Sequence, residues 1–321
     1  MNIFITGIAG VLGSSLARLF LSKGYKVTGN DRVRIEEAWR LEGIKGQITY
    51  LWKSSIDLTT SDIFGTDIII DCALESADRP YGISSPKDTI IGNILPPLHV
   101  LETVRRIGSK ILIIYPSSFN ALYGHKPGLK ITEETSVLAS GAYGWSKGAA
   151  ELLYLAYHKA YDIPVIITRV GSGYGPKMRS DELIARLIIH ALQGKDFNLR
   201  SPEAKRLWCF VEDILDFYDK LIEDPYKYNG KILHAAGNKN NEIVTNSDLA
   251  MKIKQLTNSN VTITPVGYEV TEIVDGKPID FTIDSSYTMN KVGWEPKHSL
   301  EEGLSKTIAW FRENITRYKV E

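Results

Sequence analysis

Residues 2 to 23 run from a short apolar strand into an amphipathic helix through a turn that holds Gly7, Gly10 and Gly13, in the segment ITGIAGVLGSSLARLF. Where side chains are missing, the chain can turn tightly and its amides can approach a ligand closely. The helix that follows then points the positive end of its dipole at the turn. A strand, glycine turn and helix in this order open a parallel α/β sheet, and the same unit suits the pyrophosphate of a dinucleotide. Glycines also serve merely to join a strand to a helix, so the rest of the chain has to decide between the two readings.

Beyond the turn, apolar strands and amphipathic helices keep alternating, the pattern of a parallel sheet covered on both faces. Strands are expected near 2–6, 26–30, 47–51, 67–72, 110–115 and 163–169, with helices near 11–23, 87–107 and 143–160 and a C-terminal cap at Gly24. Past Arg169 the pattern changes to a GSGYGP loop and then a helix at 181–193, and residues 211–223 and 231–236 are candidates to return to the sheet as helix and strand. Helices near 246–256 and 300–316 complete a smaller lobe. The fold class expected is α/β, a Rossmann doubly wound parallel sheet with a smaller C-terminal α/β substrate lobe. Its dinucleotide domain takes residues 1–170 plus about 206–240, and the substrate lobe takes 171–205 and 241–321.

Composition narrows the partners. The 38 basic residues balance the 38 acidic ones, so no global field favours nucleic acid or an anionic membrane, and a small molecule is the expected partner. The apolar runs, such as ILII at 111–114, are of strand length and too short to span a bilayer. With no signal-peptide pattern after Met1, a soluble cytoplasmic protein is expected. Cys72 and Cys209 lie in apolar surroundings without ligand spacing, which points to buried reduced thiols rather than a disulfide or a metal site.

An acidic residue is expected at the end of the second strand to accept the adenosine ribose hydroxyls, and Asp31 stands there, which favours NAD. Arg32 and Arg34 follow at once and can alternatively hold a 2′-phosphate, so NADP stays open. Asp57, before Leu58 in SSIDL, suits an adenine amino group or a helix cap. In GAYGWSKGAAELL, Tyr143 and Lys147 stand one helical turn apart on one face. A lysine ammonium beside a phenol favours the phenolate, which otherwise forms only near pH ~10. Such a tyrosine can take a proton from a sugar hydroxyl and return it.

Together these residues carry a resemblance. The chain resembles the extended short-chain dehydrogenase/reductases, specifically their NAD-dependent epimerase/dehydratase group acting on nucleotide sugars. TGIAGVLG is similar to its TGxxGxxG turn, YGWSK to its YxxxK, and SSFNALYG to its serine strand and YG turn. RVGSGYGP is similar to its RxxNxYGP, KRLWCFVED to its RxxxxVxD, and VGWEPKHSLEEGL to its LGWxPxxxLxEGL.

The resemblance implies that Tyr143 is the acid/base, that Lys147 holds the nicotinamide ribose and tunes Tyr143, and that Ser118 steadies the reacting hydroxyl, with Ser117 as the fallback. One residue more than usual precedes Tyr123-Gly124, so Phe119 falls on the family position unless the loop bulges. Gly7, Gly10, Val11, Leu12, Gly13, Asp31, Arg32, Asp57, Leu58, Ala73 and Asn93 match cofactor positions, although Asn93 also reads as a helix-surface residue. Arg206 matches the arginine that contacts a sugar-nucleotide diphosphate, for which a planar bidentate donor is suited. Ser172 replaces the usual asparagine, and the second arginine is absent around VDGKPID, where Lys277 is a possible substitute. LRSPEAKRLW looks closer to enzymes of CDP- and GDP-sugars than of UDP-sugars.

Dehydratases of the group place an acidic pair just after the serine, whereas Phe119-Asn120-Ala121 offers none, so no 4,6-dehydratase activity is expected. The resemblance then implies an NAD-dependent epimerase of a nucleotide-diphosphate sugar, most simply a 4-epimerase with a transient 4-keto intermediate. The alternatives are an NAD(P)H-dependent reductase or dehydrogenase of a 4-keto nucleotide sugar or other small alcohol, and a non-catalytic dinucleotide sensor. It also implies a homodimer formed by helices 87–107 and 143–160, with Leu153, Tyr154, Tyr157 and Ala160 as contact candidates that could instead pack on their own sheet.

Overall fold

The computed structural model of the chain describes residues 1–74, 84–108 and 110–318. In chain order the first elements are β1 (Asn2–Thr6), α1 (Val11–Ser22), β2 (Lys26–Asp31), β3 (Thr49–Trp52), α2 (Thr60–Ile63), β4 (Ile68–Asp71), α3 (Pro86–Ile107) and β5 (Leu112–Ser118). β6 (Lys130–Ile131), α4 (Ala142–Tyr161), β7 (Val165–Val170), β8 (Ser172–Tyr174), α5 (Leu183–Gln193), β9 (Phe197–Leu199), β10 (Lys205–Phe210), α6 (Val211–Leu221) and β11 (Ile232–Ala235) follow. The last are β12 (Ile243–Thr245), α7 (Asn246–Thr257), β13 (Ile263–Pro265), β14 (Ile273–Val274), β15 (Lys277–Pro278), β16 (Thr282–Ile283), α8 (Ser286–Val292) and α9 (Leu300–Asn314). The chain folds as two compact units, one of Met1–Leu122, Val137–Arg169 and Tyr218–Leu233, the other of Tyr123–Ser136, Val170–Phe217 and His234–Glu321.

A seven-stranded sheet in the order β11-β7-β5-β4-β1-β2-β3 organises the first unit. Pairing of β1 with β2 and β4, of β2 with β3 and of β4 with β5 is parallel, as expected of a doubly wound fold. Strands covered on both faces need continuous apolar runs, and Ile68, Ile69 and Ile70 in β4 and Leu112, Ile113 and Ile114 in β5 are all buried. The strand order reverses between β1 and β4, and ligands of such sheets bind beyond the carboxyl ends of the strands at that point. Thr6 and Asp71 are partners in register there.

The helices α3 and α4 cover one face. Val100, Leu101 and Val104 from α3 and Ala150 and Tyr154 from α4 join Phe4, Ile69, Ile113 and Ile167 in one buried cluster. This corrects one expected dimer contact, because Tyr154 is wholly buried within its own chain. Leu153 and Tyr157 also pack against this cluster. The large apolar side chains that α3 and α4 expose are Ile91, Leu95, Trp145, Leu152 and Tyr161. Cys209 is buried and Cys72 is half-buried, both as free thiols. Cys72 departs from the expected full burial because it follows the last sheet residue, Asp71, where cover from neighbouring strands ends.

In the second unit, β8 pairs in parallel and β12 antiparallel with β10. The RxxxxVxD and GWxP motifs owe part of their residue choice to packing here. Asp213 is 1% exposed and its carboxylate accepts the Lys297 amide at 2.9 Å and the His298 amide at 3.2 Å. Trp294 donates its Nε1–H to the Asp213 carbonyl at 2.9 Å, with its ring edge-on to Phe217. Ser299 and Glu302 form a capping box that starts α9. No helix among the described residues is long and apolar enough to cross a membrane.

Candidate active site

The glycine turn leaves β1 with Gly7 at φ +61°, a left-handed conformation, and its α-carbon faces the backbone of Cys72 and Ala73 at the end of β4. Gly13 permits a still closer approach, because a Cβ there would lie 2.4 Å from the Gly7 carbonyl oxygen. Helix α1 begins immediately after Gly10 with no side-chain cap and no acidic residue in its first turn. Its amides and positive dipole end are therefore not neutralised by the helix's own side chains. Gly13→Ala is expected to destabilise the fold by about 1–3 kcal/mol, the usual cost of overpacking, seen as an earlier urea midpoint.

Asp31 ends β2 beside this turn, its carboxylate accepting the Ala9 amide at 3.0 Å and the Val33 amide at 3.1 Å. Arg32 and Arg34 are exposed, and Arg34 stacks over the Trp52 ring at 4.7 Å. Asp57 is exposed within a 3-10 turn, Ser55–Asp57, while the cap of α2 falls to Thr59 instead, and Leu58 is buried. Asn93 is buried and donates to Ser146 Oγ at 2.9 Å, which rules out its reading as a surface residue. Ser146 in turn donates to the Tyr143 carbonyl at 2.8 Å, so α3 steadies the first turn of α4.

That turn carries half-buried Tyr143. Its neighbour Gly144 lies flat against the segment after β5, since a Cβ there would stand 2.2 Å from the Asn120 carbonyl oxygen. The two serines of β5 part company, as successive strand residues must. Ser117 is buried and donates to Glu151 at 2.6 Å. Ser118 is partly exposed, and its hydroxyl accepts the Asn120 amide at 3.2 Å. The residues between Ser118 and Tyr123 form a 3-10 turn, Phe119–Leu122, in which Phe119, Ala121 and Leu122 are buried. No carboxylate stands on this turn.

Lys147, 5% exposed, donates to the Pro116 carbonyl at 2.6 Å and sits 4.2 Å from the centre of the Tyr115 ring. Tyr115 stacks on Tyr154 at 4.6 Å, and Tyr154 donates to the buried Asp71 carboxylate, which also accepts from Thr6. Thr6 Oγ1 accepts the Ala73 amide at 2.9 Å. A buried polar chain thus ties the ends of β1 and β4 to the packing of Lys147. Burial pushes the Asp71 carboxyl up, while Thr6, Tyr154 and Lys147 oppose the shift. Sequence reasoning missed Asp71 and named Tyr154 only as a dimer-contact or sheet-packing candidate; the available signal for Asp71 was an acid closing the otherwise apolar run IIID.

In the second unit, Ser172 opens β8 opposite Trp208, and Arg206 lies two residues before Trp208 on β10. The two predicted substrate residues therefore belong to one small sheet. Arg206 is buried, ion-paired with Glu272 and donating to the Tyr123 hydroxyl at 3.3 Å. Lys277 is exposed on β15.

The profile of the NAD dependent epimerase/dehydratase family matches residues 3–236. This chain belongs to that family. A dTDP-glucose 4,6-dehydratase of Neisseria gonorrhoeae is 26% identical over 347 residues, which span 98% of this chain and 97% of that protein. A dTDP-glucose 4,6-dehydratase of Bacillus anthracis, solved in complex with NAD, shares 25% identity at a TM-score of 0.84, with 99% and 98% coverage. A UDP-glucuronic acid 4-epimerase of Bacillus cereus, in complex with UDP-glucuronic acid and NAD, has the same fold, at a TM-score of 0.87 with 22% identity and 98% and 100% coverage.

The residues at the switch point fit the NAD of this epimerase/dehydratase family. The close-packed glycine backbone would hold the pyrophosphate, together with Val11 and Leu12 in the uncapped first turn of α1, and Asp31 would meet the adenosine ribose. Lys147 would meet the nicotinamide ribose. Burial pulls the Lys147 ammonium down from 10.5 to about 8, against Asp71, Cys72 and Glu151, which pull it up. Because the folded value lies below the unfolded one, the unfolded chain holds more of this proton between pH 8 and 10.5. Lys147 therefore burdens stability fully below pH 8 and ceases to as pH rises through that window. Lys147→Met should accordingly gain most in urea midpoint over the native protein near pH 7 and lose that gain toward pH 10. A gain independent of pH would contradict this titration.

Proposed function

We propose that this family member is a nucleotide-sugar epimerase, most simply a 4-epimerase working through a transient 4-keto sugar. The observation that carries the reading is the wall around Tyr143. Tyrosine, lysine and a partly exposed serine are held by α4 and β5, while the segment after the serine supplies Phe119, Asn120 and Ala121 instead of the acidic pair that loss of a C6 hydroxyl requires. On that point the chain departs from the pattern that the family resemblance implies for a dehydratase.

In this mechanism Tyr143 takes the proton of the sugar C4 hydroxyl and returns it after the keto sugar presents its other face. Ser118 hydrogen-bonds the same oxygen and fixes its position. Ser117 is committed to Glu151, which supports Ser118 as the acting serine. Lys147 lends positive charge to the phenolate. NAD held by the glycine turn, Asp31 and Lys147 would supply reversible hydride acceptance. Arg206 and Ser172 serve the diphosphate and sugar side. Epimerisation restores the oxidation state of both partners, so it needs no supply of reducing equivalents.

The test is a screen of UDP-, GDP-, CDP- and dTDP-sugars against the purified protein, first by thermal stabilisation and then by NMR of the product. The expected result is a C4 epimer formed without net NADH. A 4-keto-6-deoxy product would falsify the epimerase reading, and turnover that consumes stoichiometric NAD(P)H would transfer it to a reductase. We also propose that two copies pair through α3 and α4, whose exposed Ile91, Leu95, Trp145 and Leu152 supply an apolar surface. Sedimentation at micromolar concentration should give twice the chain mass, and a monomer would refute the pairing.

A further inference from the structure

The guanidinium of Arg206 is already occupied by an anion from its own chain. Arg206 and Glu272 are 8% and 7% exposed and form an ion pair through Nη2, while Nη1 of the guanidinium donates to the Tyr123 hydroxyl at 3.3 Å. The cation lies 5.8 Å from the centre of the Tyr123 ring, which itself stacks on Phe281. Glu272 closes a 3-10 turn, Val270–Glu272, at the foot of the β14–β15 hairpin. Its carbonyl accepts the Ile279 amide at 2.9 Å, and the Ile279 carbonyl accepts the Lys205 amide at 3.1 Å. The hairpin is thus hung from β10 one residue before Arg206, and this attachment sets the acid against the arginine.

A buried arginine needs a counter-charge, and a carboxylate supplies one. A diphosphate is a stronger bidentate anion for the same planar fork. Both cannot share it cheaply, because the ligand's charges would then lie beside a buried carboxylate. Like charges brought together in that way repel, and the repulsion weakens binding.

We propose that Glu272 is a specificity-determining residue, an internal counter-anion of Arg206 that the diphosphate of the substrate must displace. This rests on the nucleotide-sugar reading above. A sugar without a diphosphate offers no anion able to compete with the carboxylate, so Arg206 stays paired and the ligand gains nothing from it. Displacement requires only that the Glu272 carboxylate swing away, and the turn that carries it lies at the surface, with Val270 at its start 69% exposed. Lys277, on the second strand of the same hairpin, then has no need to replace the missing second arginine as the main diphosphate contact.

The experiment is calorimetric titration of UDP, dTDP, GDP and CDP, and of the matching monophosphates, into the native protein, Glu272→Gln, Glu272→Ala and the double variant Glu272→Gln/Arg206→Ala. Two variants at 272 are used so that one folded protein suffices, as checked by its thermal transition. The preferred nucleoside diphosphate should bind at least about tenfold more tightly to either Glu272 variant than to the native protein. Its monophosphate should gain less, and the gain should vanish in the double variant. Equal or weaker binding to the Glu272 variants overturns the displacement and leaves the proposed function standing. If no diphosphate binds any of the proteins, both fall.

Discussion

Tyr143→Phe is expected to lower kcat for the true substrate by about 10²–10⁴-fold, the range for removal of a positioned general acid/base. Phenylalanine keeps the ring that packs in the first turn of α4 and removes only the hydroxyl. Substrate affinity and the thermal transition should therefore stay close to native, which separates a chemical loss from a structural one. Ser146 still holds the backbone carbonyl of residue 143, so the turn itself should not move. Unchanged turnover would remove Tyr143 from the chemistry and leave a dinucleotide-binding sensor as the better account. Ser118→Ala should also lower kcat, because Ser118 and not Ser117 keeps a partly exposed hydroxyl.

The largest effect on stability is expected at Arg169. Its guanidinium meets Glu151 at 2.9 Å with both side chains 1% exposed, and Glu151 also accepts from Ser117 at 2.6 Å. Arg169→Ala leaves a buried carboxylate without its cation, a change that costs about 3–5 kcal/mol. The pair links the end of β7 to the middle of α4, the helix that presents Tyr143 and Lys147. Activity should fall along with the urea midpoint, in contrast to Tyr143→Phe. Replacing both partners with apolar residues, Glu151→Leu with Arg169→Met, should recover much of the loss, because no charge is then stranded. A single-variant loss below about 1 kcal/mol would mean that water or another group reaches Glu151.

Much of this protein was legible in the chain because local rules fix it. Alternating apolar strands and amphipathic helices announce a parallel sheet, and the glycines around residue 10 announce a backbone that must run close to something. The family follows from motifs in fixed order, since each is tied to one place in the fold. Tyr143 and Lys147 share a face by helical spacing alone.

Tertiary structure decided what depends on which side chains meet from distant parts of the chain. Neighbouring serines look alike in sequence, and only the opposite faces of β5 commit Ser117 to Glu151 and leave Ser118 available. For Tyr154 a dimer contact and packing on its own sheet are both open in the sequence, and its burial against Asp71, 83 positions away, selects the second. Phe119 reads as an intruder at the family serine position until a 3-10 turn buries it. Glu272 has no motif of its own, and the hairpin that hangs from β10 is what brings it to Arg206. Periodicity specifies an element and its exposed face, whereas burial, pairing and charge compensation follow from contacts between elements.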